Sequence, residues 1–326
     1  MLPIEALSPG EFAAPLAVVT GGWSRERERA LLSGTTASDA LTALGIEHRV
    51  LDLAETDKLA AGLEGAELAL LAIAGRGAED GRLQGLLETS GVPYTGSGVF
   101  ASAVGMNKTV AKTLATDAGV FTPAGTPVLT GTDPDRDAEA RGIAEAFGLP
   151  VIVKPVSEGG SIGLVLARTE KELADALRAA DGVAMMVEEY IEGRSVSAGV
   201  LEDSDGTLHV LPPLETATAD GIYSAEAKHR PDLTTYLCPA RLPDAVLAEL
   251  DDMARRAHRA LHCHGYSRHD FVVPDSGIPV WLEVNTLPGL SRTGNLARMA
   301  DAAGLSYEQL LSHIVRTART DRRARP

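Results

Sequence analysis

Cysteine is nearly absent from this chain. Cys238 and Cys263 are the only two in 326 residues, too few for a disulfide framework and without a C-x-x-C pair for metal or redox chemistry. Aromatic residues amount to 4%, which argues against the stacking platforms of single-strand nucleic-acid binders. Positive charge is short as well. Thirty Lys and Arg stand against 45 Asp and Glu, a formal charge of −15, whereas affinity for nucleic acid rests on neutralising phosphates. The longest apolar run, residues 68–74, has the length of a core strand and falls far short of the ~18–20 residues of a membrane span. Glu5 and Glu11 lie in an N-terminus without a basic stretch, unlike a secretory signal. The expectation is a cytoplasmic protein with neither nucleic acid nor membrane as partner.

What is present is ordinary in bulk and uneven in detail. Hydrophobic residues at 44% and charged residues at 23% describe a folded globular chain, and the length implies two or three domains at ~100–200 residues each. Lysine is scarce: Lys58, Lys108, Lys112, Lys154, Lys171 and Lys228 are all there are.

Apolar runs at 16–20, 50–53 and 68–72 read as strands, separated by helical periodicity at 25–44 and 58–63. Alternating strands and helices predict a parallel sheet with covered faces, ending near residue 105. Helices follow at 107–118, 137–147 and 171–180, with strands at 151–155, 163–167 and 185–189. From 194 onward strands dominate, around one helix at 244–261. The strands 266–273 and 279–284 flank Pro274-Asp275-Ser276-Gly277, a strong turn signal. Helices at 295–303 and 306–318 close the pattern, and the basic tail after 316 reads as a solvated end. No internal repeat is visible.

Chemistry concentrates in that late hairpin. Side chains alternate along a strand, so Arg268 and Asp270 share a face, as do Glu283 and Asn285. If the turn pairs the strands, all four converge. Their oxygens are hard ligands suited to Mg²⁺, and Arg268 offers a planar fork to an oxyanion; solvated strand residues are the alternative. Upstream, Lys154 ends an apolar strand before a Gly/Ser loop through Gly159, Gly160 and Gly163. Backbone N–H groups of such a loop can approach a phosphate, though taken by itself the loop reads first as a plain glycine hairpin turn. The loops 75–81 and 93–98 lie where open α/β sheets bind ligands. His258, His262, Cys263 and His264 offer metal-ligand residue types but no fourth ligand at a characteristic spacing, so packing is expected there.

Together these features resemble the D-alanine–D-alanine ligases of the ATP-grasp superfamily. The resemblance rests on the stretches 21–28, 75–81, Leu83-Gln84-Gly85, 93–98, Met106-Asn107-Lys108, Val153-Lys154-Pro155, Glu226-Ala227-Lys228, Cys238-Pro239-Ala240, Arg268-x-Asp270 and Glu283-Val-Asn285-Thr-x-Pro288-Gly289, in one order along nearly the whole chain. It implies an α/β fold of three domains: an N-terminal parallel α/β domain at 1–105, a central ATP-grasp domain at 106–193, and a C-terminal ATP-grasp domain with a lid loop at 194–326. It implies an ATP-dependent ligase that activates one amino acid as an acyl phosphate for attack by the amine of a second, and a homodimer.

By residue matches, Lys108, Lys154 and Ser161 would hold ATP phosphates. Glu188, with the backbone near Glu189 and Ile191, would hold adenine, and Asp270, Glu283 and Asn285 would hold two Mg²⁺ (or Mn²⁺) ions. Arg268 would stabilise the tetrahedral oxyanion, Glu26 would receive the first ammonium group, and Lys228 on the lid would reach the transferred phosphoryl group. Gly289, Gly294 and Asn295 fall where the second substrate is bound.

The departures from the family cluster on the amino-acid side. Gly160 and His229 replace a serine and a tyrosine that pair with the counterpart of Glu26, and Ala74 replaces a histidine. Gly294 and Asn295 replace a serine and a leucine, and Arg29-Ala30 replaces Val-Ser. Ser195 replaces the glutamate that contacts ribose, for which Glu192 is a candidate substitute. An altered acceptor and a lid latch at His229 are the corresponding expectations; the alternative to the first is drift, with Arg29 or Arg292 compensating by binding the carboxylate. The alternatives are an ester-forming or natural-product ligase on the same fold, a nucleotide-binding protein without ligase activity, and an ATP-grasp carboxylase.

Overall fold

The computed structural model describes residues 4–128, 135–180, 182–218 and 234–320. The first unit alternates β1 (Leu16–Thr20), α1 (Arg27–Ala43), β2 (His48–Asp52), α2 (Thr56–Leu63) and β3 (Ala69–Leu71), followed by α3 (Arg82–Ser90) and α4 (Val99–Met106). Its strands are parallel in the order β2-β1-β3. The apolar runs of β1 and β3 are buried throughout, as central strands under helices require. The strand and helix positions follow the sequence reading closely. The helices α3 and α4 are not among the sequence expectations, which cover only the loops 75–81 and 93–98 that precede them.

The middle unit comprises α5 (Lys108–Asp117), β4 (Gly125–Val128), α6 (Arg136–Phe147), β5 (Val151–Pro155), β6 (Val165–Ala167), α7 (Glu170–Ala179) and β7 (Met185–Glu189). The sheet is antiparallel, ordered β4-β7-β5-β6. Val151, Val153 and Val187 pack with Ile143, Leu173 and Leu177 of α6 and α7. Strand alternation therefore sends Ile152, Lys154 and Glu188 to the other face, away from those helices.

The last unit holds β8 (Arg194–Glu202), β9 (Leu208–Val210), β10 (Leu214–Thr218), β11 (Thr234–Leu237), α8 (Asp244–Ala260), β12 (Tyr266–Val273), β13 (Val280–Asn285), α9 (Asn295–Ala302) and α10 (Tyr307–Arg316). The order β11-β10-β8-β12-β13 puts β12 between two antiparallel partners, with β9 pairing β8. Two cores cross the expected boundaries. Leu296, Met299, Leu310 and Ile314 of the last helices join the core of the first sheet. Ala111 and Ala115 of α5 pack into the core beneath β8, β12 and β13.

Along β12 burial alternates, so His269, Phe271 and Val273 are buried while Arg268 and Asp270 lie on the more open face. The buried side carries a polar chain. Trp281 Nε1 donates to His269 Nδ1 at 3.2 Å, so the remaining His269 proton sits on Nε2 and goes to Ser267 Oγ at 3.0 Å. Ser267 then donates to His258 Nδ1 at 2.8 Å. His264 meets Glu202 at 3.0 Å and the Thr317 carbonyl at 2.8 Å, while His262 lies edge-on to Phe100. His258, Cys263 and His264 are buried, whereas His262 is exposed.

Burial pushes the His269 pKa down to about 3. Its folded value is depressed below the ordinary ~6.5, so its stabilisation is present above ~6.5 and is lost as pH falls toward about 3. Melting temperature is therefore expected to drop from pH 7 to 4, with a shallower drop in His269→Gln. Parallel curves for the two proteins would contradict a neutral, buried imidazole.

Candidate active site

The open faces of the middle and last sheets oppose each other across a cleft of roughly 1100 Å³, counting space open to solvent. Lys108, Lys154, Ser161, Glu188, Glu189 and Ile191 line it, with Asp270 and Glu283. Eight of the expected site residues thus meet in one place.

The hairpin forms as its turn predicted. Arg268 pairs with Asn285 across the strands and Asp270 with Glu283, with a register shift after Asp270. Arg268 clasps Asp270 by two bonds of 2.8 Å each, the fork geometry that makes Arg–carboxylate pairs strong. Ser197 Oγ donates to Asp270 at 2.7 Å and Asn285 Nδ2 at 3.0 Å. Arg268 and Asn285 are not among the lining residues; they stand behind Asp270.

Lys108 opens α5, whose N-cap Asn107 accepts from Val110 N. Its Nζ donates to the Glu158 carbonyl at 2.5 Å and lies 3.3 Å from Glu283. Lys154 and Lys112 both pair with Glu188, at 2.7 and 3.0 Å. Burial acts to raise the Glu188 pKa, but the charges of Lys154 and then Lys112 outweigh it and hold the group below its usual range. Glu189 is fastened to β4 by the Ala124 N–H at 3.0 Å.

Glu26 sits at the start of α1 and faces the glycine loop. A Cβ on Gly159 would stand 2.4 Å from Glu26 Oε2, so a side chain there would displace the Glu26 carboxylate. Gly160 is next to it: its Cβ position is 3.4 Å from Oε1. Arg29 reaches Glu26 at 3.3 Å, whereas Arg292 is committed to Glu308 at 2.5 Å and to the ring of Tyr307.

Several expected residues lie elsewhere. Glu192 is exposed and off the cleft wall, which Ser195 lines instead. A Cβ on Gly289 would stand 3.6 Å from Ser33 Oγ, and Gly294 and Asn295 cap and begin α9, outside the cleft lining. Lys228 and His229 lie outside the described residues.

Sequence reasoning gives no role to two buried titratable residues, Lys112 and Glu79. Lys112 is one helical turn beyond Lys108, a spacing that together with the scarcity of lysine was the available signal. Glu79 lay inside the 75–81 stretch without an assignment. Its Oε2 accepts the Gly75 N–H at 2.6 Å and its Oε1 the Leu287 N–H at 3.3 Å. Ser33 Oγ likewise accepts the Leu290 N–H at 3.1 Å. The loop after β13 is thus held by side chains of the first unit.

Two antiparallel β-layers closing on a cleft, lysines on one wall and acidic oxygens on the other, define an ATP-grasp enzyme. The family profile described as D-ala D-ala ligase C-terminus matches residues 114–316. A D-alanine–D-alanine ligase of Desulforudis audaxviator is 39% identical over 307 residues, covering 93% of this chain and 98% of the relative. The crystal structure of the Bacillus anthracis D-alanine–D-alanine ligase complexed with ATP superposes with a TM-score of 0.80 at 29% identity, over 94% of this chain and 97% of that one. The VanG D-Ala:D-Ser ligase of Enterococcus faecalis gives 0.76 at 25% identity, over 93% and 99%. The chain belongs to the D-alanine–D-alanine ligase family and is an ATP-dependent amino-acid ligase.

Burial, and then the charge of Glu26, push the Glu79 pKa up to about 8. A carboxyl raised above its unfolded value of about 4.3 gives stability that is complete below that value and is lost as pH climbs through about 8. Glu79→Gln, which turns an NH₂ toward a backbone donor, is expected to melt below wild type. That gap should be widest near pH 5 and narrow toward pH 8.5; a constant gap would contradict a buried, protonated Glu79.

Proposed function

We propose that this ligase activates D-alanine, or a similarly small amino acid, as an acyl phosphate and joins it to the amine of a second amino acid, in the synthesis of a cell-wall precursor. The observation that carries this reading is the meeting of Lys108, Lys154, Glu188, Asp270 and Glu283 on the two walls of one cleft. Phosphoryl transfer asks mainly for positioning and charge neutralisation, and this −15 chain supplies cations there. Lys108 and Lys154 hold phosphates, with Ser161 in the loop beside them. Glu188 and the backbone near Glu189 and Ile191 hold adenine.

The donor set fits Mg²⁺: Asp270 and Glu283 are directly opposed, both are partly exposed to the cleft, and Asn285 adds an amide beside them. Asp270, Glu283 and Asn285 would hold two ions. When bound, these ions neutralise phosphate charge. Arg268, aligned by Asp270, stabilises the oxyanion formed when the amine attacks, and Glu26 orients the donor's ammonium group. The three sheets are read as three domains divided near residues 105 and 193. The protein is taken as a cytoplasmic homodimer on family grounds alone.

A second reading concerns the acceptor. Gly294 and Asn295, at the second-substrate position, carry neither the serine nor the leucine of the family, and a pocket altered there suits an amine other than D-alanine. Around Glu26, on the donor side, no side chain extends from Gly159 or Gly160, and Arg29 approaches the carboxylate to 3.3 Å. ADP release should depend on an added amino acid, and mass spectrometry over a panel of acceptors should identify the product. Efficient D-alanyl-D-alanine formation would overturn the altered acceptor; amino-acid-independent hydrolysis would overturn the ligase assignment of these residues.

Arg268→Ala is expected to lower kcat by ~10²–10³, the usual cost of one oxyanion donor. The KM for ATP should stay within about threefold, because Arg268 stands off the cleft wall. Unchanged turnover would contradict its role.

A further inference from the structure

Glu188 is 2% exposed and has two ammonium partners where one would balance its charge. Lys154 meets Oε2 from the cleft wall, and Lys112 meets Oε1 from behind. Among the described residues neither lysine has a second acidic partner within ion-pair distance. Lys112 is itself only 9% exposed at its side chain and does not line the cleft. It rises from the face of α5 that also carries Lys108, four residues earlier. Its Nζ lies 5.8 Å from the centroid of the Trp281 ring, whose indole is pinned by His269.

The side chain between them is closely packed on one flank. A Cβ on Gly125 would come within 2.9 Å of Glu188 Cγ and 2.7 Å of the Val187 carbonyl, so β4 presses directly on this side chain. Glu188 is therefore an anion between two buried counterions, of which Lys154 lines the cleft and Lys112 does not.

The geometry points to Lys112 as a positioning residue that releases Lys154 to the nucleotide. The inference rests on the reading of Glu188 and Lys154 as nucleotide ligands. When Lys154 turns to a phosphate oxygen, Lys112 stays and keeps the buried carboxylate compensated. Without Lys112, Lys154 is the sole counterion of a desolvated anion, and ATP must compete with Glu188 for it. Burial lowers the Lys112 pKa to about 8, so the group still carries its charge at neutral pH.

The test compares the full chain with Lys112→Met, Glu188→Gln and the double variant, by ATP kinetics and by calorimetric titration with ADP and Mg²⁺. Lys112→Met should raise the KM for ATP about tenfold or more, the scale of a lost charge-assisted hydrogen bond. Its kcat and its KM for the amino acids should hold within about twofold. In the Glu188→Gln background the same change should cost almost nothing, because the anion that captures Lys154 is gone. Equal losses in both backgrounds, or a fall in kcat without a rise in the KM for ATP, would make Lys112 a packing residue and overturn the inference. Tight ADP binding by wild type that Glu188→Gln leaves unchanged would instead overturn the reading of Glu188. Should Lys112→Met not fold, Lys112→Gln keeps most of the length and reads the same split in KM and kcat.

Discussion

A chain of net charge −15 that handles a triphosphate must concentrate its cations at one spot and keep its surrounding acids from cancelling them. That constraint organises this molecule. Three of its six lysines, Lys108, Lys112 and Lys154, are buried beside the cleft. Each is set against an oxygen that holds it in place: the Glu158 carbonyl with Glu283 for Lys108, and Glu188 for the other two. The wall opposite repeats the arrangement with Arg268 and Asp270. Desolvated pairs of this kind contribute little to stability but fix the geometry of charge, and a phosphoryl-transfer site requires that geometry.

The rest of the fold serves the same end by strand alternation. Each of the two antiparallel sheets buries one face against helices and leaves the other to the cleft, so alternate residues of β5, β7 and β12 are available for chemistry. Behind β12, a hydrogen-bonded chain runs inside the core from Trp281 through His269 and Ser267 to His258. The first unit contributes less to the nucleotide and more to the amino-acid side. Glu79 and Ser33 grip the loop after β13, and Glu26 meets the glycine loop of the middle unit.

Much of this was legible in the sequence because period-two patterning and turn chemistry are local signals. The 266–273 and 280–285 strands, their turn, and the convergence of Arg268, Asp270, Glu283 and Asn285 follow from such signals. The same holds for Lys154 at a strand end before its glycine loop. What was hidden depends on contacts far apart in the chain. Glu79 meets Leu287, and Lys112 meets Glu188; neither pairing has a spacing signature. Likewise, nothing local in α5 tells that Ala111 and Ala115 pack beneath the last sheet, or that α9 and α10 complete the first core. Glu192 shows the converse, a plausible residue type that the turn after β7 leaves exposed off the cleft wall.

The central claim is that nucleotide binds between the open faces of the two antiparallel sheets. A crystal structure with ADP and Mg²⁺ tests it most directly. The account predicts phosphates against Lys108 and Lys154, metal at Asp270 and Glu283, and adenine beside Glu188. Nucleotide bound at another surface, with those side chains still engaged only with one another, would contradict it.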